Sequence, residues 1–137
     1  MSKAIIRELF EARLTAWAAA RTPALRIAYE NNSFNPITGE VYLRAFVLPG
    51  TTFSDDLAGS HRGYVGLYQV SIVVPRNSGN RVSGQIEREL DELFPVNLRL
   101  TGGLTLQILT PMSGSTAMDD EDTTTIAVRC QYRADTI

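Results

Sequence analysis

The chain has 137 residues, 44% hydrophobic and 20% charged, with a net charge of −2 and a single cysteine. That is enough for one domain burying about two-thirds of its unfolded surface without disulfide or metal support. One cysteine excludes an internal disulfide and multi-cysteine zinc motifs, the scattered basic residues exclude a phosphate-neutralising patch, and no apolar run approaches the roughly 20 residues that span a bilayer.

Residues 3–20 carry Ile6, Phe10, Leu14 and Trp17 three or four positions apart, the pattern of a helix with one apolar stripe. Ser2 is placed to cap its start, and Arg21-Thr22-Pro23 to end it, because the residue before proline avoids helical backbone. Its charged, amphipathic beginning is unlike a signal peptide, so the chain is expected to stay in the cytosol. Leu25 to Glu30 predicts a first strand, with Leu25, Ile27 and Tyr29 on one side and Arg26, Ala28 and Glu30 on the other. A turn-rich segment, residues 31–40, leads to a second strand, Val41 to Leu48, which Pro49-Gly50 is expected to stop.

Gly63 to Val74 is the longest strand signal, with Tyr64, Gly66, Tyr68, Val70, Ile72 and Val74 alternating against Val65, Leu67, Gln69, Ser71 and Val73. Antiparallel pairing with the second strand is the natural expectation. The loop between them holds Asp55, Asp56, His61 and Arg62. Two carboxylates and the one histidine invite a metal or acid–base reading, but no rigid support for such a site is visible in the sequence. A mobile loop spanning 50–62 that orders on assembly is expected instead.

Pro75 to Gly79 reads as a turn, and Asn80 as the cap of a second helix with Val82, Ile86, Leu90 and Leu93 inward. Gly84 weakens that helix unless it permits close packing. Pro95 ends it, and Val96–Leu100 and Leu104–Leu109 read as strands joined by Thr101-Gly102-Gly103. Residues 111–122 predict a second mobile loop, ending in Asp119, Asp120, Glu121 and Asp122 without the spacing of a calcium loop. The last strand, Thr124 to Arg133, sets Ile126, Val128, Cys130 and Tyr132 against Arg129, Gln131 and Arg133. Cys130 there is expected to be a small buried hydrophobe. Arg129 and Arg133 make the most credible interface stripe, unless that side is simply solvated. All basic residues but Lys3 are arginine, which follows either from genomic composition or from the use of guanidinium at protein interfaces.

The order α-β-β-β-α-β-β, with no internal repeat, predicts one α+β domain over 1–137: a mostly antiparallel mixed sheet with two helices packed on one face. No nucleophile constellation, metal-ligand set or phosphate-cradling loop is present, so no catalytic residue, cofactor or metal is expected.

The phrases Arg26–Asn32, Tyr42–Gly50, Arg62–Pro75, Glu89–Pro95 and Gln131–Thr136, in this order, resemble the tail terminator (tail-completion) proteins of long-tailed phages and prophages. The resemblance implies a virion structural protein at the head–tail junction, assembled in the host cytoplasm. Such proteins form a homo-oligomeric ring, a hexamer in the family, between tail-tube protein and head connector, with DNA passing through without specific binding and with no membrane. Asp55, Asp56, His61, Arg62, Asp119, Asp120, Glu121, Asp122, Arg129 and Arg133 are the expected subunit or partner contacts. The alternatives are another head–tail joining or minor tail protein and, more remotely, a small enzyme using the Asp55/Asp56/His61 loop.

Overall fold

The computed structural model describes residues 2–30, 32–53 and 62–136, and it has the expected two helices on one mixed sheet. Helix α1 (Ser2–Ala20) is followed by strands β1 (Arg26–Tyr29), β2 (Tyr42–Phe53) and β3 (Gly63–Pro75), then helix α2 (Arg81–Leu93). Strands β4 (Arg99–Thr101), β5 (Leu104–Ile108), β6 (Ser113–Gly114), β7 (Met118–Asp119) and β8 (Thr123–Thr136) complete the chain. The main sheet path runs β1-β2-β3-β8-β5-β4, and β6 and β7 join β8 on the edge it shares with β5.

The long strands sit centrally because each buries a face along its length. β3 pairs antiparallel with β2, Val70 opposite Ala45, and with β8, Val70 opposite Val128. The register aligns Leu43, Ala45 and Val47, then Tyr68, Val70, Ile72 and Val74, then Ile126, Val128, Cys130, Tyr132 and Ala134 on the side covered by the helices. β1 pairs parallel with β2, and residues 30–41 make the crossover that parallel neighbours require.

α1 inserts Ile6, Phe10, Leu14 and Ala18. The stripe thus follows a strict four-residue row, and Trp17, expected to point inward, lies half-buried at its margin with Arg21 over its ring. Phe10 stacks on Tyr68 at 4.0 Å between ring centroids, with the edges of Phe94 and Tyr132 closing around it. Arg21 ties the end of α1 to α2 through Glu89 at 2.8 Å, and that hydrogen bond holds the Glu89 carboxyl below the usual carboxylate range. Cys130 is buried as expected, which pushes its thiol up to about 12.

Several local expectations need correction. Pro49-Gly50 does not stop β2: Pro49 stays opposite Gly66, the register shifts between Pro49 and Thr52, and the strand continues to Phe53. The Val47 N–H points to the outer edge of β2, so alternation points the Pro49 nitrogen the same way, where no ladder donor is needed. Asn80 makes no side-chain cap; its carbonyl accepts from Gly84 N–H instead. Ser83, rather than the exposed Val82, completes the buried side of α2 with Ile86 and Leu90, while Leu93 packs half-buried against the core and Phe94 is buried just past the helix end. Residues 96–98 form a turn, with Asn97 at φ 69° in the left-handed region that asparagine tolerates, so the strand starts at Arg99.

Glu30 takes over where β1 ends. One carboxylate oxygen accepts the Val47 N–H at 2.7 Å and the other meets Arg7 at 3.4 Å, so one side chain satisfies the β2 edge and fixes α1 to it. Glu30→Ala is expected to lower unfolding stability by about 1–2 kcal/mol because it orphans that N–H. Glu30→Gln, which keeps an acceptor, should recover most of the loss, and urea midpoints at constant slope make the comparison.

Candidate assembly surface

The helices cover one side of the sheet, and among the described residues no helix covers the other. That outer face carries Tyr42, Arg44, Phe46 and Leu48 from β2, then Val65, Leu67, Gln69, Ser71 and Val73 from β3. From β8 it carries Thr125, Ala127, Arg129, Gln131 and Arg133. Val73 and Ser71 are buried, Phe46, Val65 and Leu67 are half-buried, and Leu48 is 42% exposed. The terminal strands are short, four residues in β1 and three in β4, and β2 runs on beyond β1, whose pairing ends at Ala45.

Sequence-expected contacts divide three ways. Asp55, Asp56 and His61 lie outside the described residues, which neither bring them together nor separate them. Arg62 is exposed beside the end of β8, its N–H donating to Thr136 Oγ1 at 2.9 Å. Asp119, Asp120, Glu121 and Asp122 are all exposed on β7 and the turn into β8. That turn is ordered by its own bonds: Asp119 accepts from Thr124 Oγ1 at 2.6 Å, and Asp120 N–H donates to Thr123 O at 2.7 Å. Its backbone also meets the β3 turn, where Arg76 N–H donates to Asp122 O. None of the four carboxylates forms an ion pair among the described residues. The segment before it is anchored by Met112, buried in the core, and by Ser113 opposite Arg129.

Arg129 and Arg133 project from the outer face as expected but differ in state. Arg133 grips Asp135 through Nε at 2.9 Å and a second nitrogen at 3.1 Å, which offsets its charge. Arg129 is exposed and makes no ion pair or side-chain hydrogen bond among the described residues. Arg44, in the middle of β2 and opposite Ser71, is in the same condition. The residue missed from the sequence is therefore Arg44. Its signal was present, an arginine alternating with inward Leu43 and Ala45, but a lone cation in a strand does not announce itself as unpaired.

Beside Arg44 lies a hollow of about 570 Å³ lined by Ala28, Glu30, Phe34, Tyr42 and Phe46. Phe34 reaches it from the β1–β2 crossover, its ring 5.0 Å from that of Tyr42 and under the guanidinium of Arg26. Arg26 is neutralised by Glu40 at 3.0 Å, so the uncompensated cation at the hollow is Arg44. Among the described residues no group of three or more metal-ligating side chains comes together, and no helix is long and apolar enough to cross a membrane. The described surface offers an apolar, Arg-bearing sheet face suited to protein contact, because half-buried aromatics beside exposed guanidinium groups favour a protein partner.

The chain was compared with known families, curated proteins and solved structures. No curated protein matches it. A solved structure 44% identical in sequence superposes with a TM-score of 0.83, covering 98% of this chain and 96% of that one. A family profile described as phage tail terminator protein matches residues 5–132, from the first turn of α1 to near the end of β8. The chain belongs to the phage tail terminator family and has a structural role in the phage tail.

Proposed function

We propose that this protein forms a homo-oligomeric ring on the head-proximal end of the tail tube, stops tube polymerisation there and offers the surface on which the head connector seats. The ring is hexameric in this reading, and DNA passes through its lumen. Family membership over residues 5–132 carries the proposal. The uncovered sheet face supports it, since a ring subunit needs a surface beyond its own core for a neighbour. The chain acts as a structural component and not as an enzyme.

The test is tube capping. Purified protein added to polymerising tail-tube protein should shorten the tubes in proportion to its concentration and appear as a cap at one end in electron micrographs. Tubes of unchanged length with bare ends would overturn the reading.

A further inference from the structure

Two unsatisfied patches lie on opposite margins of the outer sheet face. On one margin is the hollow floored by Phe34, Tyr42 and Phe46, with Arg44 unpaired beside it. On the other, Met118 is 73% exposed on β7 and is followed directly by Asp119, Asp120, Glu121 and Asp122, which lack ion-pair partners among the described residues. Met118 and Tyr42 stand in one cross-strand row, Tyr42–Val73–Thr125–Met118. β3 and β8 therefore separate them by three strand spacings, about 14 Å, beyond the reach of a methionine side chain. Met118 therefore cannot fill the hollow of its own chain, although the far end of the acidic turn, Asp122, borders Tyr42 and Glu40.

We propose that the occupant of the hollow is a second copy of this chain, which inserts Met118 against Phe34, Tyr42 and Phe46 and sets its acidic turn against Arg44, with Arg129 two strands away as the next cation. The chemistry of the patches is complementary. A flexible thioether meets aromatic rings, and carboxylates meet guanidinium groups that have no carboxylate of their own. Phosphate alone would satisfy Arg44 and Arg129 but would leave Phe46 and Leu48 uncovered, which favours a protein occupant over nucleic acid. Because the two patches differ and lie on opposite margins, the contact is head-to-tail, and such contacts build rings when the rotation between copies closes. The inference rests on the ring reading and names its subunit contact.

Arg44→Glu and the double variant Glu121→Arg/Asp122→Arg each disable one patch. All three side chains are exposed and make no side-chain bond, so melting temperatures should match the parent chain. Sedimentation velocity across protein concentration should show the parent assembling into a ring-sized species. Each variant should need at least about ten-fold more protein to assemble, the scale of one lost charged contact. Mixing the two variants is the sharper measurement. Each retains the patch that the other lacks, and the two charge reversals are complementary to each other, so an equimolar mixture should recover assembly near the parent's concentration as a ring of alternating copies, which neither variant forms alone.

Ring assembly by both variants at the parent's concentrations would overturn the contact while leaving the tube-capping function standing. A parent chain that stays monomeric at every concentration and salt level would also overturn it, and the tube-capping assay then decides the proposed function separately. If Arg44→Glu keeps its ring but loses binding to a fluorescent DNA duplex, the face belongs to phosphate and the proposal fails.

Discussion

Gly66→Ala is expected to lower the melting temperature by roughly 10 °C, although replacing glycine by alanine inside a strand ordinarily stabilises it. A Cβ at position 66 would lie 2.5 Å from the Leu48 carbonyl oxygen, 2.7 Å from the Tyr132 hydroxyl oxygen and 2.9 Å from the adjoining ring carbon. Neither neighbour yields cheaply. The Leu48 carbonyl immediately precedes the β2 irregularity, and Tyr132 is 2% exposed, wedged edge-on against Phe10. Overpacking of this kind costs about 3 kcal/mol. Gly84 is the matched control: nothing lies within 4 Å of its added Cβ, so Gly84→Ala should stabilise by up to about 1 kcal/mol through helix propensity alone. Thermal unfolding of both variants side by side tests the argument, and a stabilised Gly66→Ala would refute it.

Gly66 also marks where sequence reasoning reaches its limit. Two-residue alternation located β2, β3 and β8, and in β8 it assigned the inward side correctly, because an alternating strand with one buried face admits a single register. It could not show that Tyr132 folds over Gly66, since that depends on pairing between residues 66 positions apart. The same non-locality hid the rest. Pro49-Gly50 carries every local signal of a stop, yet β3 continues past it and pairs with β2 again, after a register shift, at Thr52 and Phe53. Residues 111–122 read as a loop from composition, and their short pairings with β8 depend on an edge that no local window contains. Arg129 and Arg133 looked equivalent until Asp135 was seen to neutralise one of them. The acidic turn was legible because its charges are consecutive. Arg44 was not, because being unpaired is a property of the surroundings.

Phe10→Ala is expected to cost about 4 kcal/mol, close to the upper range for a single core truncation and a large part of the total stability of a domain this size. Phe10 is 0% exposed and touches three other rings: stacked on Tyr68 with an interplanar angle of 7°, and edge-on or tilted to Tyr132 and Phe94. It is thus the point at which α1, β3, β8 and the end of α2 meet. Removing it leaves a cavity that rigid aromatic rings cannot collapse to fill. Trp17→Ala, on the same helix but half-exposed, should cost less than about 1 kcal/mol. Equilibrium urea unfolding resolves the two, and in the Phe10 variant the lone tryptophan, Trp17, serves as the fluorescent reporter. The pair also separates folding from assembly. Phe10 lies under the helices, on the side of the sheet away from Arg44, so Phe10→Ala should impair assembly only in proportion to the fraction unfolded. Where urea-free buffer and low temperature keep that variant folded, its rings should form at the parent's concentration, whereas Arg44→Glu loses assembly with its melting temperature intact. If Phe10→Ala lost assembly while fully folded, the helix layer itself would have to take part in the subunit contact, and the bare sheet face would not be the whole of the surface that joins one copy to the next.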